Sequence, residues 1–110
     1  MTMNIQAPST APHPIVPPEV VAFAREQGVE KYLPQLVEWA RQVYPSATRF
    51  EVFTEDDPEI ANDRHIVFEL DVPLDVEQAL EADRRWNRGV FQIVPAPLVC
   101  VFRLSADLRP

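Results

Sequence analysis

The amino-acid sequence predicts an α+β domain, a two-layer sandwich of element order α-α-β-β-α-β, with helices on one face of a three-stranded sheet that is mostly antiparallel or mixed. Three observations carry that expectation. Apolar residues from Val29 to Tyr44 recur every three or four positions, residues 65–72 alternate strictly, and a capped amphipathic segment after Asp75 leads into an apolar run at 98–104. At 110 residues, 46% hydrophobic and 25% charged, the chain suits one core rather than two.

Residues 1–18 contain Pro8, Pro12, Pro14, Pro17 and Pro18 with only scattered apolar side chains. That composition favours extended backbone over packing, so this stretch is expected to be a flexible Pro-rich tail ahead of a single domain at 19–110. A PxxP-type ligand is the sharper reading, but the basic residue that accompanies such motifs is missing.

Glu19 opens a short helix through Gln27 with Val20, Phe23 and Ala24 on one face, and Gly28 stands where a left-handed cap ends it. A second helix follows over about 30–44. Its stripe is Val29, Tyr32, Leu33, Leu36, Val37, Ala40, Val43 and Tyr44, and Pro45 stops it. Pro34 is tolerated because the amides of a first turn have no helical partner. Trp39 lies off the centre of the stripe and is expected at the core boundary.

Two strands come next. Residues 49–54 put Phe50 and Val52 on one face, and residues 65–72 put Ile66, Phe68, Leu70 and Val72 opposite His65, Val67, Glu69 and Asp71. They read as a hairpin with one buried face. The connector, roughly 55–64, exceeds the usual two to five residues, and Asp57-Pro58 favours a turn within it.

Asp75 can cap a third helix over 76–91, since its carboxylate can accept first-turn amides. Val76, Ala79, Leu80, Trp86, Val90 and Phe91 form the expected apolar face, and Glu81 faces Arg85 four positions on. Arg84, Arg85 and Arg88 read as solvated charge, because no Gly-rich phosphate loop accompanies them. After Pro95 and Pro97, residues 98–104 are apolar enough for a central strand, parallel to 65–72 through a helical crossover. Cys100 shares the parity of Leu98 and Phe102, which places it in the core, away from the polar surroundings a reactive thiolate needs.

Charge is unevenly placed. The net charge is −7, and the window 55–77 holds nine acids against one base, Arg64, so it alone outweighs the whole chain. Such a balance excludes nucleic acid as a partner, since phosphate binding needs clustered Lys and Arg. No apolar run approaches the ~20 residues of a membrane helix, and the N-terminus lacks a basic start and an apolar stretch, so the expectation is a cytoplasmic protein without membrane contact. A single cysteine rules out an intramolecular disulfide and a cysteine zinc site. Nine arginines against one lysine, with twelve prolines, fit the GC-rich codons of many bacterial genomes.

Chemistry can be sought in two places. Glu69 and Asp71, two residues apart on one strand face with His65 further along it, resemble carboxylate pairs that hold a divalent metal. Yet a sheet with one wet face alternates polar residues anyway, and the Gly-Ser turn of minimal nucleotidyltransferases has no counterpart here. The acidic connector has no mid-loop Gly and so is not an EF-hand, and neither Ser9, Ser46 nor Ser105 sits in a nucleophile elbow.

The expectation is therefore a binding or accessory module rather than an enzyme, with no cofactor. Its contact residues would be Glu55, Asp56, Asp57, Glu59 and Asp63, with a sheet edge, and its partner a basic protein or a second copy forming a homodimer. The alternative is a divalent-metal phosphoryl- or nucleotidyl-transfer enzyme, or a pseudoenzyme of one, built on Glu69 and Asp71 with help from His65.

Overall fold

The computed structural model describes residues 9–109. Helix α1 spans Pro18–Glu26, a 3-10 turn at Glu30–Tyr32 runs into α2 at Leu33–Val43, and strands β1 and β2 occupy Arg49–Asp56 and Arg64–Val72. Helix α3 covers Val76–Ile93, a 3-10 segment covers Ala96–Val101, and β3 covers Phe102–Leu108. The sheet order is β1-β2-β3, with β1 antiparallel and β3 parallel to the central β2. This is the predicted α+β order with a mixed three-stranded sheet, helices packed over one face.

Local chemistry explains the helix ends. Pro18 occupies the first turn of α1, and the helix closes with a Schellman motif in which Val29 N donates to Ala24 O at 2.8 Å and Gly28 N to Arg25 O at 3.1 Å. Gly28 takes φ +72°, where a side chain is strained. In α3, Asp75 Oδ1 accepts from Gln78 N at 2.8 Å while Gln78 Oε1 accepts from Asp75 N at 3.1 Å, a reciprocal capping box.

The core lies between the helices and one sheet face. Phe68 of β2 is its hub, with ring centroids 5.8 Å from Phe50 of β1, 5.7 Å from Trp86 of α3 and 6.2 Å from Phe102 of β3. One fully buried ring thus ties all three strands to α3, and truncating such a residue to alanine costs ~3–5 kcal/mol. Leu36, Val37, Ala40 and Val43 of α2, with Tyr44 just after it, complete the layer.

Four sequence expectations are corrected. The last strand is displaced: residues 96–101 form a 3-10 segment, with Pro97 in its first turn, and pairing starts only at Phe102. β3 lies at the sheet edge, beside β2 rather than β1. Cys100 then falls in the 3-10 segment and is exposed, its thiol 3.7 Å from Pro97 O. On α3 the buried residues are Ala82, Trp86 and Val90, whereas Val76, Leu80 and Phe91 are 64%, 53% and 61% exposed. The latter three lie on a separate stripe, about a third to a half turn round the helix at 100° per residue. Finally, Glu81 pairs with Arg84 at 3.5 Å and Arg88 at 3.8 Å, while the Arg85 guanidinium lies 5.9 Å from the Trp39 ring centroid.

Residues 9–17 form no helix or strand, but they are anchored. Ala11 is buried, its carbonyl accepts from Arg41 Nε at 3.1 Å and Nη2 at 2.9 Å, and Ser9 Oγ donates to Arg41 O at 2.8 Å. Arg41 thus clamps this segment to α2 and fixes the approach to α1. Residues 1–8 of the expected tail lie outside the described residues.

Candidate functional site

The acidic connector is shorter and more ordered than its composition suggests. Pairing continues through Glu55 with His65 and Asp56 with Arg64, which leaves only 57–63 as loop. Asp57 organises that loop: its Oδ1 accepts from Glu59 N at 2.8 Å and Ile60 N at 3.2 Å, an Asx-type turn, and its own N–H donates to Asp63 O at 2.8 Å. Asn62 supplies the left-handed residue at φ +62°, which asparagine tolerates better than most.

Two of the five acids are also ion-paired to arginines. Asp56 Oδ1 accepts from Arg64 Nε at 2.7 Å, and that guanidinium holds the Asp56 carboxyl below the usual aspartate range. Glu55 stands 3.5 Å from His65 Nε2, and Asp63 3.5 Å from Arg103 on β3. Folding roles thus exist for Asp56 and Asp63 as ion pairs and for Asp57 as the expected turn former. Glu59 alone of the five is exposed with no ion pair among the described residues, and beside it Ile60 is 57% exposed. Composition hides Ile60, since one apolar residue among acids reads as noise. Its exposure gives the acidic hairpin end an apolar point.

The sheet face away from the helices is a charge ladder. Across the strands lie Arg49, Asp71 and Asp107 in one row and Glu51, Glu69 and Ser105 in the next. Arg49 sits at the centre: its Nε donates to Asp71 Oδ2 at 3.0 Å, its Nη2 to Glu69 Oε1 at 2.5 Å, and its Nη1 lies 3.0 Å from Glu51. Hydrogen bonds from Arg49 hold Asp71 below the usual aspartate range, with Arg109 at 3.6 Å reinforcing the effect. The two carboxylates proposed as metal ligands are therefore brought together, with a guanidinium between them. His65, the third of that set, is buried and points to Glu55, and neither ring nitrogen has a hydrogen-bond partner among the described residues. No three His, Cys, Asp or Glu side chains among the described residues are placed to share a metal. Arg49 is the residue sequence reasoning overlooked; the signal was its register opposite Asp71, visible only once the hairpin is closed.

A second surface lies where α3 meets β3. Val76, Ala79, Leu80 and Asp83 of α3 and Leu104, Ala106 and Leu108 of β3 line a shallow groove of about 260 Å³, together with Tyr44. Burial, with Asp83 nearby, pushes the Tyr44 hydroxyl up to about 12. The groove runs beside the outer edge of β3, which has no strand neighbour among the described residues. No helix among the described residues is long and apolar enough to cross a membrane.

No family model, curated protein or solved structure matches this chain.

Proposed function

We propose that this protein is a small binding or accessory module, cytoplasmic, that docks a basic protein partner on the end of its β1–β2 hairpin and associates through a sheet edge. The observation that carries the reading is the hairpin end itself, where Ile60 is exposed in a loop beside the exposed Glu59, with Glu55, Asp56, Asp57 and Asp63 on the flanking strand ends and turn. An exposed apolar side chain in an acid-rich loop suits a complementary surface with an apolar cleft and basic residues beside it. The charges steer and orient while the apolar side chain is desolvated.

The test is comparative capture from the native lysate with wild type and a Glu59→Lys, Ile60→Ser double variant. Both residues are exposed and neither caps the loop, so the fold is retained. The expected result is a basic protein retained by wild type, released as salt rises, and absent from the variant sample. Recovery of the same proteins by both forms, or of nothing above background, would defeat the proposal.

A further inference from the structure

The structure assigns a specific occupant to the free edge of β3: we propose a second copy of this chain, paired antiparallel about a two-fold axis at Ser105. The inference deepens the association through a sheet edge proposed above, and rests on that reading. Its starting point is backbone direction. Arg109 N donates to Val72 O on β2 at 2.8 Å, so odd-numbered amides of β3 face inward. In a strand the amides alternate, so Leu104, Ala106 and Leu108 present N–H and C=O groups to the outside.

Only a few registers match outward groups to outward groups, and side chains choose among them. With Ser105 opposite Ser105, Arg103 faces Asp107 of the second copy twice, and Leu104 faces Ala106 twice. Pairing centred on Ala106 would set Arg103 against Arg109, and pairing centred on Leu104 would leave Asp107 and Leu108 beyond the shared ladder. Arg103 and Asp107 would occupy the non-hydrogen-bonded positions of the new ladder, where cross-strand side chains approach most closely. Their present partners, Asp63 and Arg109, are solvent-exposed contacts at 3.5 and 2.9 Å that exchange at little cost.

The other edge is unsuited to the same use. β1 carries Glu51, Glu55 and Asp56 against Arg49 alone, so self-pairing would set acids against acids. Residues 13–17 of the N-terminal segment also border it at Phe50–Phe53. β3 has balanced charge and an apolar row on its helix side, which pairing would continue into the groove beside Leu80. The product is a six-stranded sheet with its hairpins at the two far ends.

Sedimentation velocity on the full chain tests this. Wild type is expected as a dimer, and Ala106→Pro as a monomer with native near-UV circular dichroism, since the proline removes only an outward amide. Dimer affinity should fall by roughly 100-fold or more, because each loss counts twice across the axis. Arg103→Asp and Asp107→Arg should each be monomeric alone and should form a mixed dimer when combined, since their charges then complement. A monomeric wild type, a dimer indifferent to Ala106→Pro, or a mixture that stays monomeric would each overturn the proposal. A dimer that persists while hairpin-dependent capture fails would instead count against the hairpin reading alone.

Discussion

Gly89→Ala offers a sharp test of the α2–α3 contact. Propensity alone favours the change, since glycine inside a helix is ~0.5–1 kcal/mol worse than alanine. The structure reverses the sign. A Cβ at position 89 would lie 2.5 Å from Cζ2 of Trp39 and closer still to Cε2 and Nε1, whereas relaxed carbon contacts lie at ~3.5–4.0 Å. The indole therefore has to retreat by at least ~1 Å, and its Nε1 donates to Trp86 O at 3.2 Å, a bond that retreat breaks. Overpacking costs ~1–3 kcal/mol and the lost hydrogen bond ~1 kcal/mol, so the net effect after the propensity gain is a destabilisation of ~1–3 kcal/mol. Urea and thermal unfolding followed by tryptophan fluorescence would read this as a fall in Tm of roughly 5–20 °C. In a Trp39→Leu background the same substitution should become neutral or mildly stabilising. Gly28→Ala is the control: nothing lies within 4 Å of its Cβ, so its cost of ~1 kcal/mol is backbone strain that Trp39→Leu leaves unchanged. A Gly89→Ala protein as stable as wild type would refute the close approach of the two helices.

Three further outcomes are expected. Tyr44 holds its proton up to about 12 when folded against an ordinary 10.0, so the unfolded state deprotonates first and stability falls as pH rises from 10 to 12, by roughly 2–3 kcal/mol. Tyr44→Phe should lack that alkaline loss in unfolding curves, and tyrosinate absorbance should show one tyrosine titrating late. Asp71 is held below its ordinary 3.8 when folded, so its contribution is complete above that value and is lost as pH falls through the lowered one. Carboxyl NMR titration should show the Asp71 midpoint rising in Arg49→Gln; an unmoved midpoint would rule out the bridge. His65→Leu removes two buried nitrogens without hydrogen-bond partners, and chemical denaturation should find it neutral to ~2 kcal/mol more stable, a large loss being the contrary result.

Much of this fold was legible in the sequence because local rules and tertiary packing agree there. The Asp75 cap, the Gly28 stop, the α2 stripe and the β2 alternation each satisfy a backbone requirement with one residue type. The failures have physical causes. Val76, Leu80 and Phe91 mimic a core stripe because periodicity cannot say which of two apolar faces is covered. Leu98 to Val101 look like a strand because an apolar run has no period, and they mask the alternation of Phe102, Leu104, Ala106 and Leu108 with Arg103, Ser105 and Asp107. The hairpin acids were legible as a cluster but not as individuals: Asp57 is a turn element, Asp56 and Asp63 are paired to arginines, and Glu59 has no ion pair among the described residues. Which acid meets which base depends on strand register, and register is a property of the closed hairpin.

The place of β2 between a local and a distant neighbour sets an order of assembly. β1 reaches β2 across seven loop residues, whereas β3 can pair only after the whole of α3 and the 3-10 segment have been laid down. Hairpin closure is therefore expected to precede the parallel ladder, since loop closure must precede any contact that repays it. In the interval the outer margin of β2, with Ile66, Val67, Phe68, Leu70 and Val72, is an unsatisfied apolar template. On that order of assembly, the strand expected to be most prone to aggregation during refolding is the one best buried in the native sheet.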